Sequence, residues 1–80
     1  MKNMEKYTQV FVEMFGKSAD EVKNLHYQDI IEWDSVGHMT LMSTLEDTFD
    51  IMMETDDIID FDSYEKGIEI LKKYNFDFES

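Results

Sequence analysis

Apolar residues recur at steps of three and four along most of the chain, which is the spacing of amphipathic helices. The first such stretch predicts a helix over residues 3–15, and Gly16 follows where a left-handed C-terminal cap would lie. Its apolar positions are Met4, Tyr7, Val10, Phe11, Met14 and Phe15. The chain contains no proline, so no residue type forbids long helices.

Residues 16–34 are less regular and predict a long connection. Ser18 followed by Asp20 and Glu21 favours a short helical turn around Val22. The apolar residues expected to hold the connection against the helices are Leu25, Tyr27, Ile30, Ile31 and Trp33. A connection of this length in a small domain usually has a function.

A second long helix is predicted over residues 35–50, with either Asp34 or Ser35 as its N-cap. Its apolar stripe is expected to contain Val36, Met39, Met42, Leu45 and Phe49. Five methionines could give the core flexibility to shelter a chain, or could simply fill gaps in it: Met14, Met39, Met42, Met52 and Met53.

The rest of the chain predicts a short helix over 55–60, a last helix over 63–74 and a fraying tail over 75–80. Asp62 and Glu65 have capping-box spacing at the start of the last helix, and Ser63 is a competing cap. The predicted fold is all-α, with three main helices and a short additional helix between the second long helix and the last. We expect one domain over residues 1–80, forming a four-helix bundle.

Composition excludes several classes of protein. With no cysteine, the chain has no disulfides, zinc–thiolate sites or cysteine nucleophiles, and a reducing cytoplasmic setting is expected. No apolar run is long enough for a signal peptide or a membrane span, so membrane insertion is not expected. Hydrophobic residues make up 42% of the chain, enough for a packed core rather than disorder.

Charge is strongly acidic and local. The formal net charge is −12, and residues 24–65, here called the acidic segment, hold 12 acids and no lysine or arginine. Such a field repels nucleic acid and anionic membranes, whereas it attracts basic protein surfaces. The acidic segment is therefore expected to face protein partners as well as to aid solubility.

Ser35 is the main candidate for chemistry, because a hydroxyl at a helix start lies where free N–H groups and the helix dipole favour an attached anion. Asp34, Ser35 and His38 do not form a hydrolase triad, since Ser35 and His38 share one helical turn and no second element supplies an oxyanion hole. No catalytic residue and no dedicated metal site is expected. The cluster Asp56, Asp57, Asp60 and Asp62 lacks EF-hand spacing.

The residues around Ser35 resemble those of a known family. Asp34-Ser35-Val36 is similar to the Asp-Ser-Leu motif of acyl carrier proteins, in which the serine carries 4′-phosphopantetheine. The run 45–51 resembles the acidic second helix of that family, Asp56-Asp57 its acidic third helix, and 64–74 its closing helix. The resemblance covers about residues 5–75.

The resemblance implies that the chain is a carrier and not an enzyme, with Ser35 modified by a phosphopantetheinyl transferase and Asp34 as its motif neighbour. It also implies a monomer whose partners are acyl-loading and acyl-processing enzymes with basic surfaces. The implied acidic contacts are Glu46, Asp47, Asp56 and Asp57. The implied apolar contacts are Val36, Met39 and Met53, although core packing is the alternative for Val36 and Met39.

Three residues depart from the pattern of carriers in fatty acid synthesis: Gly37, His38 and Thr40. Gly37 weakens the first helical turn by roughly 1 kcal/mol relative to alanine, and His38 could touch phosphate or a partner. A specialised acyl or polyketide pathway is therefore an alternative to fatty acid synthesis. An aminoacyl or peptidyl carrier loaded by an adenylating ligase, and an acidic helical adaptor that carries nothing, also remain open.

Overall fold

The first helix, α1, covers Asn3–Phe15 in a computed structural model that describes residues 2–74. It ends at Gly16, whose φ of 64° is left-handed and whose N–H donates to the carbonyl of Val12. The expected glycine cap is therefore present. One face of α1 is buried through its aromatic and β-branched residues, Tyr7, Val10, Phe11 and Phe15.

The connection after α1 contains a short helix, α2, over Ala19–Val22. Ser18 accepts a hydrogen bond from the Glu21 N–H, and the Glu21 carboxylate accepts one from the Ser18 N–H, both at 3.2 Å. This capping box is the helical turn that the sequence predicts around Val22. The hydrogen bonds from Ser18 lower the pKa of Glu21.

Trp33 holds the rest of the connection in the core, because its side chain is fully buried. Leu25 is also buried, but Ile31 is 91% exposed, so the expectation that it packs inward is wrong. The physical reason is local, since residues 31 and 32 form an exposed turn that leads into the buried Trp33. Trp33 is thus the residue that fixes where the next helix begins.

The second long helix, α3, covers Ser35–Phe49, one residue shorter than predicted. Asp34 is its N-cap, because its Oδ1 accepts the Gly37 N–H at 2.8 Å, and Ser35 is the first helical residue. The helix ends at Asp50, which adopts a left-handed φ of 54°.

The buried stripe of α3 differs from the predicted one. Val36 and Met39 are 75% and 54% exposed, while Leu41, which the predicted stripe omits, is fully buried. The core positions are Leu41, Met42, Leu45 and Phe49. With 3.6 residues per turn, this stripe continues back through His38, so Val36 lies on the opposite side of α3 and Met39 at the edge of the stripe.

Two shorter helices complete the described chain, α4 over Thr55–Asp60 and α5 over Tyr64–Lys72. Ser63 is the N-cap of α5, since its Oγ accepts the Lys66 N–H at 3.0 Å. The expected capping box of Asp62 and Glu65 is therefore wrong. The predicted fraying tail, 75–80, lies outside the described residues.

Aromatic rings from α1, from the connection and from residues 61 and 64 form the centre of the core. Phe11 lies 5.7 Å from Trp33, 6.3 Å from Phe61 and 5.2 Å from Tyr64, measured between ring centroids. The Tyr7 hydroxyl donates to the Tyr64 carbonyl at 2.6 Å, which joins α1 to α5. Burial raises the pKa of Tyr7 well above its usual range, so the hydroxyl keeps its proton.

These helices, with no strand among residues 2–74, confirm the all-α prediction. None of the helices in that range has the length and apolar character needed to cross a membrane.

Replacing Tyr7 by Phe should lower the free energy of unfolding by about 1 kcal/mol, because the buried hydrogen bond to the Tyr64 carbonyl is lost without loss of the ring. Urea denaturation followed by circular dichroism measures this change in the free energy of unfolding. Tyr27→Phe is the control, since its hydroxyl bond is exposed and its loss should cost less. Equal effects of the two substitutions would contradict the anchoring role of Tyr7.

Candidate functional site

Ser35 is exposed at the first position of α3. Its position is fixed by the two residues before it, because the Trp33 side chain is buried and Asp34 caps the helix. The Ser35 Oγ lies 3.0 Å from the Tyr27 hydroxyl, and either oxygen can donate that hydrogen bond. The sequence does not reveal the contact with Tyr27, because Tyr27 belongs to the connection and Ser35 belongs to α3.

Gly37 permits a close approach between the connection and the first turn of α3. A Cβ at this position would overlap the carbonyl oxygen of Glu32. The sequence suggests that Gly37 only weakens the helix, but the structure gives it a packing role. Any larger residue would push Glu32 away and, with it, the segment that leads to Ser35.

His38 bridges three parts of the chain with its two ring nitrogens. Nδ1 accepts a hydrogen bond from the Trp33 indole at 3.0 Å, and Nε2 lies 2.8 Å from the carbonyl oxygen of Ile58 in α4. Because an indole N–H only donates, Nδ1 is unprotonated and Nε2 carries the proton that is donated to Ile58. The ring also stacks on Trp33, with centroids 6.3 Å apart and an interplanar angle of 18°.

This geometry corrects the expectation that His38 touches phosphate or a partner. Both of its nitrogens are used inside the fold, so it is a structural bridge between the connection, α3 and α4. The same contacts remove His38 as a base for Ser35. The Asp34 carboxylate is likewise occupied, by the Gly37 N–H, so no described side chain activates the Ser35 hydroxyl as a nucleophile would require.

An apolar groove of about 300 Å³ opens between α3 and α4 beside Ser35. Its lining is mainly apolar, from Met39, Ile58, Ile59 and Phe61, and the remaining lining residues are Tyr27, Ser35, His38 and Asp62. The sequence did not identify Tyr27, Ile58 and Ile59 as residues that line the same groove as Ser35. Ile59 is 71% exposed. The sequence alone does not show that this large apolar residue of a short helix is exposed, so it does not mark Ile59 as part of a groove.

Of the residues expected at a partner surface, Asp47 and Asp56 are exposed and Glu46 is half-buried. The Glu46 carboxylate accepts the Met53 N–H at 2.8 Å, so it also orders the link between α3 and α4. Val36 and Met39 are exposed next to Ser35, as an apolar contact surface requires.

Met53 and Asp57 depart from the expectation of a partner surface. Met53 is buried in the hydrophobic core, because the link to α4 turns its side chain inward. The Asp57 side chain is only 8% exposed and accepts hydrogen bonds from the Lys73 ammonium and the Tyr74 hydroxyl. These bonds, that from Lys73 foremost, lower the pKa of Asp57.

Tyr74 extends this arrangement, since its hydroxyl also accepts the Glu54 N–H at 3.0 Å. Asp57, Lys73 and Tyr74 therefore fasten the N-terminal part of α4 to the end of α5 and the residue after it. Within residues 2–74, no three acidic or histidine side chains are grouped so that they could hold a metal ion.

Comparison with known proteins identifies one informative relative. The chain is 39% identical over 57 residues to an acyl carrier protein of Streptococcus thermophilus (strain CNRZ 1066). The alignment covers 71% of this chain and 77% of that protein. No protein-family model matches the chain. No solved structure gives a significant match.

Gly37→Ala should destabilise the fold by about 1–3 kcal/mol, because the added methyl overlaps the Glu32 carbonyl and the connection must shift. Helix propensity alone would predict a gain of roughly 1 kcal/mol. Urea denaturation distinguishes the loss of stability expected from the overlap from the gain expected from helix propensity. Ser43→Ala, at an exposed position of the same helix, is the control and should leave stability unchanged or slightly higher. A comparable gain in both variants would rule out the packing role of Gly37.

Asp57→Asn should lower stability at neutral pH and make it less sensitive to acid. The pKa of Asp57 is depressed in the folded state, so its carboxylate stabilises the fold above the unfolded-state value of about 3.9 and that contribution is lost as pH falls through the folded value. Denaturation of wild type and variant from pH 7 downward measures the difference, which should shrink in acid. Asp56→Asn, at an exposed position, is the matched control. A difference that is constant with pH would contradict the assignment.

Proposed function

Because the chain belongs to the acyl carrier protein family, we propose that it works through a 4′-phosphopantetheine group attached to the Ser35 hydroxyl. When bound, that group supplies a thiol that holds acyl groups as thioesters. The chain itself contains no cysteine, so a thiol must come from an added group. The observation that carries the proposal is the exposed Ser35 hydroxyl at the start of α3, directly after Asp34, in the motif that resembles that of the family.

The surroundings of Ser35 fit a covalently attached phosphodiester. Ser35 is exposed, so a modifying enzyme can reach its hydroxyl. Its position at the start of a 15-residue helix puts the attached anion at the positive end of the helix dipole. The Tyr27 hydroxyl, 3.0 Å from Ser35 Oγ, can donate to the ester oxygen once that atom no longer has a proton.

The residues of this chain provide attachment and recognition rather than catalysis. Family membership supports a carrier that is not an enzyme, in agreement with a Ser35 that has no described base beside it. In our proposal the transferase supplies the base that takes the proton from Ser35, and Oγ attacks the pantetheine phosphorus of coenzyme A. The pyrophosphate bond of coenzyme A breaks, its nucleotide phosphate leaves with the electron pair, and a phosphodiester remains on Oγ.

Partner enzymes are proposed to bind the surface beside Ser35. Val36 and Met39 would give apolar contacts, while Asp47 and Asp56 would attract basic residues; Glu46 is partly available. The acidic segment would guide such partners by its electrostatic field. The proposed partners are a phosphopantetheinyl transferase and enzymes that load or process acyl groups, acting on a monomeric carrier.

Acyl cargo is favoured over an aminoacyl or peptidyl one because the curated relative is an acyl carrier protein. Fatty acid synthesis and a specialised acyl or polyketide pathway are the two proposed settings, and Gly37, His38 and Thr40 favour the specialised one. The reducing cytoplasm is the proposed compartment, since the arm must keep a free thiol.

Intact mass after co-expression with a broad-specificity phosphopantetheinyl transferase tests the proposal. Wild type should gain one phosphopantetheinyl group, and Ser35→Ala should gain none. Ser43→Ala removes an exposed serine from the same helix and should be modified as wild type is.

Three results would contradict different parts of the proposal: the carrier function, the attachment residue and the acyl cargo. An unmodified wild type, under conditions that modify another acyl carrier protein, would favour the adaptor that carries nothing. A mass gain that persists in Ser35→Ala would put the attachment at another residue. Loading of the modified protein by an adenylating ligase with an amino acid, and not by an acyl-transferring enzyme, would favour the aminoacyl alternative.

A further inference from the structure

We propose that His38 limits the depth of the groove beside Ser35, so that the groove takes a short acyl group and keeps longer chains out of the core. The inference rests on the proposed attachment of the arm at Ser35 and adds the class of cargo. It comes from the contacts of His38, which the carrier function by itself does not require.

The mouth of the groove suits an apolar guest. Met39 and Ile59 stand on its two sides, one on α3 and the other on α4, and both are more than half exposed. Exposed apolar surface that faces a groove is stabilised by covering it with another apolar group. An arm attached at Ser35, which also lines this groove, can fold back to bring its end there.

The floor of the groove is closed by hydrogen bonds. The His38 ring is held at 2.8 Å to the Ile58 carbonyl and at 3.0 Å to the Trp33 indole. To enter further, a guest must separate α3 from α4 at this point. That step would leave the fully buried Trp33 N–H and the Ile58 carbonyl without their partner, which is costly because buried polar groups need hydrogen bonds.

Behind His38 lie stiff aromatic rings. Phe61 meets His38 edge-on with ring centroids 6.1 Å apart, and Phe11 packs against both Trp33 and Phe61. Met39 and Met52, two of the five methionines for which a flexible core and simple gap filling were the alternatives, are exposed instead. A guest that passed His38 would therefore have to displace packed rings rather than flexible side chains.

The groove has to hold the end of the arm as well as the acyl group, which reduces the length of acyl chain that it can accept. Its volume of about 300 Å³ is at the small end of the range for small-molecule sites. The guest that fits these walls is a short, mainly apolar acyl group. Longer acyl chains would extend into solvent or into a partner enzyme.

The test uses the protein loaded with acetyl, butyryl, octanoyl or dodecanoyl phosphopantetheine by a transferase that accepts acyl coenzyme A. Intact mass verifies the loading of each sample. The chain contains one tryptophan, so the Trp33 indole N–H gives one NMR signal that reports directly on the bond to His38.

In wild type we expect butyryl to shift the signals of Met39 and Ile59, and the indole signal to stay the same from acetyl to dodecanoyl. The melting temperature should not rise beyond butyryl. In His38→Ala the floor is open, so the indole signal should move with chain length and octanoyl and dodecanoyl should raise the melting temperature above that of the acetyl form. His26→Ala, which removes the other histidine of the chain at an exposed position outside the groove, is the control and should keep the wild-type dependence on chain length.

A wild-type indole signal that moves progressively with octanoyl and dodecanoyl would overturn the inference, and this measurement does not depend on any variant being folded. If His38→Ala folds and behaves as wild type at every chain length, His38 is not the barrier. Failure of the proposed function looks different, because no acyl-pantetheine mass would appear on Ser35 at all.

Discussion

The hydrogen bond from the buried Trp33 indole to His38 is the contact on which the arrangement around Ser35 depends. Trp33 is fully enclosed and directly precedes the N-cap Asp34, so its burial fixes both the start and the rotation of α3. His38 passes this constraint on to α4 through the Ile58 carbonyl. Ser35 is consequently an exposed residue on a rigid support, which suits a point of attachment.

Acidic residues have two different uses in this chain. Asp34, Glu46 and Asp57 accept hydrogen bonds from within the protein, whereas Asp47 and Asp56 are exposed. The first group fixes the start of α3, the link after it and the attachment of α4. The second group is free to interact with basic partners. A high net negative charge is therefore not uniformly available for recognition, and hydrogen bonds within the protein distinguish the structural carboxylates from the others.

The groove beside Ser35 connects the fold to the proposed carrier function. One wall belongs to α3 and the other to α4, and the contact that closes its floor is the same His38 bridge that holds those helices together. In the proposed function stability and cargo are coupled, because a longer guest would have to break a contact that supports the position of Ser35. The groove and the attachment residue cannot be altered independently of Trp33.

The sequence by itself determined the all-α fold, the glycine cap of α1 and the family, because periodicity and local motifs act over a few residues. It also singled out Ser35. Only the tertiary structure decided that Asp34 is the cap, that Val36 and Met39 are exposed, and that His38 bonds inward. Those outcomes follow from the burial of Trp33 and from contacts between residues 20 apart, such as His38 and Ile58, which no local pattern encodes.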